Sequence, residues 1–262
     1  PDGKTLAIGA HPYRIMIYNL DSGEQIRVLN LPVVYPPKGG GPYRGTVDLS
    51  FSPSGDTLLT GDAASRLVLW DFRTGTKIRE YDIYRINEGS TIDDLAFLRD
   101  GRRVVVDHGA KVDIVDLELG EIVRSFDHSR FRLSRDGTKL LLPYSGGDFE
   151  LYDLETDRVI WSFPLRCQGT TTNATDLSPD GTMIIGGNCG SSSPRTIWDV
   201  ETQNVLRTYP SSISQRETTL KFFPDGKRFL SVTWPTESTI SIYNISDLQS
   251  AVREAPEYER KE

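Results

Sequence analysis

A short turn recurs along this chain, and its spacing limits the available folds more than any other feature. The turn reads Pro or Arg, then Asp or Ser, then Gly, and its glycine falls at Gly3, Gly55, Gly101, Gly137, Gly181 and Gly226. The intervals are 52, 46, 36, 44 and 45 residues, a mean period of about 44.6 residues. Such a period is too long for the common helical repeats and matches a unit of four short strands.

Each period contains the same four runs of residues in the same order. One run precedes the turn, as at 46–52, a second follows it, as at 57–61, and a fourth closes the period, as at 204–209. The third run ends in an aromatic residue followed by Asp or Asn, with the aromatic lost once: Tyr18-Asn19, Trp70-Asp71, Val115-Asp116, Tyr152-Asp153, Trp198-Asp199 and Tyr243-Asn244. Four short runs joined by tight turns that contain glycine predict a small antiparallel meander.

Alternation along the third run indicates which face of each meander is buried. With the closing residue counted as zero, positions −1 and −3 are apolar throughout, as at Ile17 and Ile15, and only Arg195 interrupts the series. A period of two is typical of a strand with one face packed against a neighbour. We therefore predict that this face is buried in every repeat.

One such sheet cannot hide both of its faces, so successive sheets are expected to pack face to face around an axis. The sequence thus predicts an all-β fold, a β-propeller of four-stranded antiparallel blades with six repeats present. One propeller domain is predicted at 1–250 and a polar tail at 251–262. The predicted blades lie at about 1–31, 46–84, 91–127, 129–165, 173–210 and 217–250.

This pattern resembles the WD-repeat β-propeller family over nearly the whole chain. The residues that carry the resemblance are Trp70-Asp71, Trp198-Asp199 and the turns at 52–55, 178–181 and 223–226. The Gly-His dipeptide of that family is missing, so we expect apolar packing to hold the blades more than a His-Ser-Trp-Asp network. The resemblance implies a protein-interaction scaffold that assembles larger complexes, often as one domain of a longer chain.

The first and last repeats are expected to be incomplete. No run precedes the first turn, the chain begins with Pro1 rather than Met, and the run at 250–256 is short and charged. Seven blades are the number that the resemblance implies most often, so we expect a fragment of a seven-bladed ring, with six blades as the alternative. An open ring would expose sheet edges.

Composition and motifs disfavour several classes of function. The 30 Lys and Arg residues against 37 Asp and Glu residues give a net charge of −7, which disfavours binding to nucleic acid through a basic surface. No run approaches the roughly 18 apolar residues of a membrane span. The common catalytic motifs are missing and the three histidines are scattered, so we expect no enzyme activity, no cofactor and no metal site.

The two cysteines leave the compartment open. Cys167 follows a predicted fourth strand and Cys189 follows a predicted second strand, and both connections emerge at the same end of a meander. They are read either as free thiols in a cytoplasmic protein, which we favour, or as a disulfide. A disulfide would indicate an extracellular or periplasmic protein.

Candidate partner-binding residues lie in the predicted loops. Position −4 is cationic in three successive blades, at Arg14, Arg66 and Lys111, and is predicted to bind an anion or an acidic peptide segment. The alternative is that these cations are solvated or paired with acids such as Asp62 and Asp107. Aromatic and arginine side chains are common interface anchors, which adds Tyr13, Tyr43, Arg44, Tyr144, Arg166 and Trp234.

Two functions from different classes remain open at this point. The first is a non-catalytic scaffold whose loops bind a protein partner. The second is a propeller similar to the lactonase-like ones, which binds a small ligand in a central pocket, and there we single out Asp107 and His108 at the end of a second strand. Convergent carboxylate and histidine groups near the axis would favour the second function.

Overall fold

The computed structural model describes most of the predicted strands and turns. The described residues are 3–10, 14–31, 48–62, 66–82, 92–109, 111–128, 130–143, 149–163, 175–187, 194–209, 216–234 and 239–245. Within them every regular element is a β-strand, and no helix is long and apolar enough to cross a membrane. The chain divides into two compact units, Pro1–Arg130 (unit 1) and Phe131–Glu262 (unit 2), and the boundary falls between the third and fourth repeats.

Unit 1 holds the first three blades. Its described strands are β1 (Thr5–Ala10), β2 (Arg14–Asn19), β3 (Gln25–Asn30), β4 (Asp48–Phe51), β5 (Thr57–Gly61), β6 (Leu67–Asp71), β7 (Lys77–Tyr81), β8 (Asp94–Phe97), β9 (Arg103–Asp107), β10 (Val112–Asp116) and β11 (Glu121–Phe126). They form the sheets β1-β2-β3, β4-β5-β6-β7 and β8-β9-β10-β11, each an antiparallel meander.

Unit 2 holds the other three blades. Its described strands are β12 (Arg132–Leu133), β13 (Lys139–Pro143), β14 (Phe149–Asp153), β15 (Arg158–Phe163), β16 (Thr175–Leu177), β17 (Met183–Gly186), β18 (Arg195–Asp199), β19 (Val205–Tyr209), β20 (Arg216–Phe222), β21 (Arg228–Trp234) and β22 (Thr239–Asn244). The first two sheets have four strands and the last, β20-β21-β22, has three among the described residues. The prediction of an all-β chain with six antiparallel repeats is confirmed.

The recurring turn forms because its side chains and glycine satisfy the backbone of a tight hairpin. In the second blade Gly55 adopts a φ of 77°, and its N–H donates to the Ser52 carbonyl oxygen at 2.9 Å. The Ser52 hydroxyl accepts the Thr57 N–H at 3.1 Å, and Ser134 and Ser178 repeat this contact in later blades. Positive φ is the conformation that glycine adopts without strain, which explains its place in every repeat.

The aspartate after the closing aromatic shapes the second turn. Asp71 Oδ1 accepts the Thr74 N–H at 2.6 Å and the Thr74 hydroxyl at 2.8 Å, and these bonds lower the pKa of Asp71. Asp153 and Asp199 make the same pair of bonds to a threonine three residues on. Each of these residues therefore stabilises a local turn.

Successive blades pack through their faces, as the alternation predicts. In unit 1 the first two blades share a core that includes Ile15, Ile17, Leu58 and Trp70, and the indole Nε1 of Trp70 donates to the buried hydroxyl of Thr60 at 3.1 Å. In unit 2 Leu141, Phe149 and Leu151 pack against Ile184 and Trp198 in the same way. Apolar contacts between sheets are the main stabilising interaction that these blades share.

The predicted buried face is wrong for the last blade. Ile240 and Ile242 occupy positions −3 and −1 of that blade, yet they are 70% and 60% exposed. In the first, second, fourth and fifth blades the apolar residues at these positions face the following sheet of the same unit. Arg195, the polar exception in the series, is buried, and its guanidinium donates to the Tyr243 hydroxyl at 2.8 Å.

Candidate functional site

Four aspartates lie on neighbouring strands of the second and third blades in unit 1. Asp48 begins β4, Asp93 and Asp94 stand at the start of β8, and Asp107 ends β9. Asp94 and Asp107 are directly opposite each other in the antiparallel pair of β8 and β9. Like charges at such positions repel. We call these four residues the carboxylate cluster.

Asp48 also joins the two blades. Its Oδ2 accepts the Leu95 N–H of the next blade at 2.6 Å, and Ser50 Oγ accepts the Phe97 N–H at 3.3 Å. Since β4 and β8 are the edge strands of their sheets, these side chains supply acceptors that the sheets themselves lack. The cluster therefore lies at the contact between the first strands of two blades.

Burial makes two carboxylates of the cluster, Asp48 and Asp107, weaker acids than usual. It raises the pKa of Asp48 to about 6, and the neighbouring Asp94, which also hydrogen-bonds to Asp48, adds to the rise. Burial likewise raises the pKa of Asp107 to about 6, helped by Asp93 and Asp94 and opposed by the Gly109 N–H, which donates to Asp107 Oδ1 at 2.8 Å. At neutral pH Asp48 and Asp107 are therefore mostly ionised, and close to pH 6 these two carboxylates take up protons.

The structure gives the predicted Asp107 and His108 different neighbours. Asp107 belongs to the carboxylate cluster, whereas His108 Nε2 lies 3.0 Å from Asp113 Oδ2 on β10. Asp113 is buried and His108 nearly so. Among the described residues no group of three or more His, Cys, Asp or Glu side chains is arranged to hold a metal ion.

Unit 2 contains a related contact with a different charge balance. Asp176 on β16 accepts the Phe222 N–H of the following blade at 2.7 Å, at the repeat position where Ser50 accepts the Phe97 N–H. Burial raises the pKa of Asp176, but Lys221 at 3.4 Å and Arg132 at 3.8 Å act in the opposite direction. Cations thus balance this carboxylate, while the causes of the high pKa values of Asp48 and Asp107 are burial and other carboxylates.

An apolar cavity lies between the second and third blades. It is at the end of the first strands opposite to the end that holds the carboxylate cluster. Its volume is about 290 Å³, and Leu69, Tyr81, Phe97 and Leu117 line its walls. Leu69 stands at position −1, and it is only partly buried, unlike Ile17 and the other inner residues at that position. We call this space the junction cavity.

The junction cavity lies where the third blade has a smaller side chain than the second. In the second blade the residue after the turn aspartate is Phe72, whose ring packs edge-on against Phe51 with centroids 4.9 Å apart. The third blade has Leu117 at the same place, next to Phe97, the counterpart of Phe51. A leucine leaves unfilled the space that a phenylalanine ring occupies one blade earlier.

Charged side chains form the rim of the junction cavity. Arg102 Nη2 lies 2.7 Å from the buried carboxylate of Asp116, and Arg102 Nη1 lies 2.9 Å from Glu118, which is exposed. Asp116 holds Arg102 in place, and both Arg102 and Glu118 reach solvent. The cavity therefore has apolar walls and one accessible ion pair at its entrance.

The predicted cationic arc is largely paired. Arg66 Nη2 lies 2.6 Å from Asp62 and Arg66 Nη1 lies 3.4 Å from Glu80, so the alternative reading holds for this residue. Lys111 pairs with Asp127 at 3.5 Å, not with Asp107. Arg14 is exposed at the start of β2.

Most of the other predicted contact residues lie outside the described part of the chain. Trp234 is the last residue of β21. The remaining candidates fall outside the described residues: Tyr13, Tyr43, Arg44, Tyr144, Arg166, and the two cysteines Cys167 and Cys189. Their predicted roles stay predictions.

Of the carboxylate cluster, sequence reasoning named only Asp107, and it missed the junction cavity, although both features have a signal. Asp48 and Asp94 both stand seven residues before the turn glycine of their repeat, at Gly55 and Gly101. Phe72 and Leu117 likewise share one repeat position. A comparison of equivalent positions in neighbouring repeats would have found both features.

These blades are the repeating sheets of a β-propeller, and the fold has close counterparts among solved structures. A chain of hydrazine synthase from Kuenenia stuttgartiensis superimposes with a TM-score of 0.71 at 16% identity, over 98% of this chain and 78% of that chain. At this identity the likeness concerns the fold alone.

Sequence comparison adds one relative. The chain is similar to WD repeat-containing protein 1 of Rattus norvegicus, at 23% identity over 212 residues, which covers 61% of this chain and 34% of that protein. The chain thus spans about a third of the length of that relative. No family model matches the chain.

Proposed function

We propose that this chain is a non-catalytic protein-interaction propeller that binds a partner protein at the junction cavity. The observation that carries the proposal is the cavity itself, an open space between two blades whose walls include Leu69, Phe97 and Leu117. Apolar pockets with a polar rim are typical places for a partner to insert an anchor side chain. The similarity to a WD repeat-containing protein supports a protein as the ligand.

The size and rim of the cavity define the partner. A volume of about 290 Å³ accommodates one large apolar side chain, such as Leu, Met or Phe. Arg102 at the rim is positioned for a carboxylate near that side chain, which would replace the exposed Glu118. The ion pairs of Arg66 and Lys111 favour this cavity over the cationic arc as the main contact.

A cavity-filling variant tests the proposal. In Leu117→Phe the ring is expected to fill the cavity as Phe72 fills the equivalent space, so that the fold is kept and partner binding is lost. The control is Leu119→Phe, the same change at an exposed position two residues away. Proteins captured from a lysate by the wild type and by the control, but not by Leu117→Phe, would be the partners.

Two results would contradict the proposal. One is equal capture by Leu117→Phe and the wild type. The other is loss of capture in the double reversal Arg14→Glu and Arg66→Glu while Leu117→Phe still binds, which would move the contact to the cationic arc. Circular dichroism and a thermal unfolding scan check that each variant is folded.

The carboxylate cluster favours a second candidate, a propeller that binds a small cationic ligand. Asp48, Asp94 and Asp107 bring negative charge together near the first strands of two blades. A panel of small amines tests it by thermal shift at pH 7. An amine that raises the unfolding temperature of the wild type, but not that of the double variant Asp48→Asn/Asp94→Asn, would support this function. If no amine changes the unfolding temperature of the wild type, the function is contradicted.

A further inference from the structure

Arg102 is held beside the junction cavity by contacts that fix the orientation of its guanidinium. Its Nε and Nη2 point at one oxygen of Asp116, at 2.8 and 2.7 Å, and its backbone carbonyl accepts the Leu117 N–H at 3.0 Å. Asp116 is buried, and its other oxygen accepts the backbone N–H groups of Glu118 and Leu119. The guanidinium is thus preoriented next to the apolar walls of the cavity.

The contact of Arg102 with Glu118 is of a different kind. Only Nη1 meets this carboxylate, at 2.9 Å, and the side chains of Arg102 and Glu118 are 48% and 70% exposed. An ion pair that is exposed to this extent contributes little to stability, so another carboxylate can replace Glu118 at small cost. Each Nη atom carries two hydrogens, so Nη1 and Nη2 form a second edge that can donate to both oxygens of an incoming carboxylate.

The backbone acceptors at the rim of the cavity are already used. The Leu117 carbonyl oxygen accepts the Tyr81 hydroxyl at 2.9 Å and Arg79 Nη1 at 3.2 Å, and the Glu118 carbonyl oxygen accepts the same Arg79 nitrogen at 3.0 Å. A carbonyl oxygen has two lone pairs, so the oxygen of Leu117 has no capacity for a further donor. The charged groups that a ligand can engage at this rim are therefore Arg102 and the Glu118 carboxylate.

From this arrangement we infer that the junction cavity binds the C-terminus of a partner polypeptide whose last residue is large and apolar. The inference rests on the proposed function and names the part of the partner that the cavity binds. The last side chain enters between Leu69, Phe97 and Leu117, and the main-chain carboxylate beside it binds the second edge of Arg102. Glu118, released from Arg102, accepts the N–H of the same residue. One terminal residue thus supplies all three groups that the site can bind.

An internal segment of a partner fits this rim less well. A residue within a chain has a neutral carbonyl group where the last residue has a carboxylate, and a neutral acceptor binds a guanidinium more weakly than a charged one does. A Glu or Asp elsewhere in the partner would have to reach Arg102 from a different residue, which orders additional rotatable bonds. A terminal residue carries its side chain and its carboxylate at a fixed separation, so less conformational entropy is lost on binding.

Three forms of one peptide test this inference. The peptide Gly-Ser-Gly-Ser-Gly-Leu is used with its C-terminal carboxylate, as the C-terminal amide, and extended by Gly-Ser-Gly so that the leucine becomes internal. NMR titrations of the methyl-labelled chain measure the binding of each form, because one apolar side chain and one ion pair support only a Kd of about 1 mM. The carboxylate form is expected to bind about tenfold more tightly than the other two. A fourth probe, 4-methylpentanoate, has the apolar group and the carboxylate without a peptide bond, and it is expected to bind more weakly than the carboxylate form.

Variants of the rim show which group binds the carboxylate. Arg102→Lys keeps a cation for Asp116 but loses the second edge, so it is expected to weaken binding of the carboxylate form about tenfold and to leave the amide form unchanged. Glu118→Gln removes the competing charge and keeps an oxygen acceptor, so it is expected to strengthen binding of the carboxylate form about threefold. Arg103→Lys is the matched control, because this adjacent arginine pairs with Asp100 at 2.6 Å instead.

Several results would overturn the inference. They are no binding of the carboxylate form, equal or tighter binding of the amide or internal form, tighter binding of 4-methylpentanoate than of the peptide, and unchanged binding by Arg102→Lys. Equal binding of the carboxylate form by Leu117→Phe and the wild type would also overturn it, because the contact would then lie outside the cavity. The proposed function is judged separately by lysate capture with Leu117→Phe: it stands if that variant loses the partner, whatever the peptides do.

Discussion

The guanidinium Nη1 of Arg79 in the second blade lies 3.2 Å from the carbonyl oxygen of Leu117 in the third. The same nitrogen donates to the Glu118 carbonyl at 3.0 Å, and the guanidinium lies over the Tyr81 ring at 4.8 Å. Arg27 makes the equivalent bond from the first blade to the Phe72 carbonyl at 3.3 Å. An arginine on the outermost strand therefore ties each of these blades to the turn of the next.

Removal of this arginine is expected to loosen the contact between the second and third blades. Arg79→Met keeps the apolar stem but loses both hydrogen bonds and the ring contact, so we expect a loss of about 1 kcal/mol in the free energy of unfolding. Urea denaturation measures it. Arg73→Met is the control, because Arg73 is exposed and its nearest charged partner, Asp56, is 3.9 Å away. Equal effects of the two changes would show that the interblade bonds contribute nothing.

The spacing of residues predicts the blades well because each blade repeats one local pattern. The turn glycines, the closing aromatics and positions −1 and −3 locate the strands, since a strand and its tight turn depend on neighbours in sequence. The two arginines that make the interblade contact, Arg27 and Arg79, share one repeat position, nine residues after the closing residue, where Arg124 and Arg207 also stand.

Features that depend on contacts between repeats were harder to predict. The junction cavity depends on a difference in side-chain volume between Leu117 and Phe72, and the carboxylate cluster depends on which aspartates face one another across β8 and β9. The exposure of Ile240 contradicts a pattern that holds in the inner blades, because alternation reports which face is apolar and not whether another sheet covers it. Sequence periodicity carries no information on that second point.

The raised pKa of Asp107 makes a pH-dependent contribution to stability. Since its pKa in the folded protein is about 6, above the ordinary value of 3.8, the folded state holds the proton more tightly than the unfolded state. The contribution to stability is present below about pH 4 and is lost as the pH rises through about 6. Asp107→Asn, which keeps an acceptor for Gly109, is therefore expected to gain stability relative to the wild type between pH 4 and 7, by on the order of 1–2 kcal/mol.

Urea unfolding of both proteins at several pH values measures this difference. Asp71→Asn is the control with the opposite sign: the pKa of Asp71 is lowered by its hydrogen bonds, so its contribution is lost as the pH falls. A constant offset between Asp107→Asn and the wild type across the range would show that Asp107 has an ordinary pKa.

Gly61 permits the close approach of the second and third blades. A Cβ atom at this position would lie 2.5 Å from Ile92 Cγ2 and 2.9 Å from Leu95 Cδ2, both in the core between the blades. Gly61→Ala is expected to lower the free energy of unfolding by about 2–3 kcal/mol, because the blades must move apart. At Gly186 the atom nearest to an added Cβ is Trp198 Cζ3 at 3.1 Å, so Gly186→Ala is expected to lower the free energy of unfolding by less. Equal costs in chemical denaturation would mean that the blades adjust freely.

Arg195 and Tyr243 form a polar contact within the apolar interface of the fifth and sixth blades. The guanidinium donates to the phenol oxygen at 2.8 Å and lies 5.2 Å from the ring centroid, while the ring stacks on Phe229 at 4.8 Å. Tyr243→Phe keeps the stacking and removes the acceptor, so it is expected to lower the free energy of unfolding by about 1–2 kcal/mol.

A double-mutant cycle separates this contact from packing. Arg195→Leu places an apolar residue at position −3, as in the other blades. Because it removes the buried charge itself, it is expected to lower the free energy of unfolding less than Tyr243→Phe does. In that background Tyr243→Phe should have almost no effect, because the guanidinium that needs the phenol oxygen is gone. The coupling energy is therefore expected to be about 1–2 kcal/mol by chemical denaturation. Additive effects of the two changes would show that Tyr243 acts only through its ring.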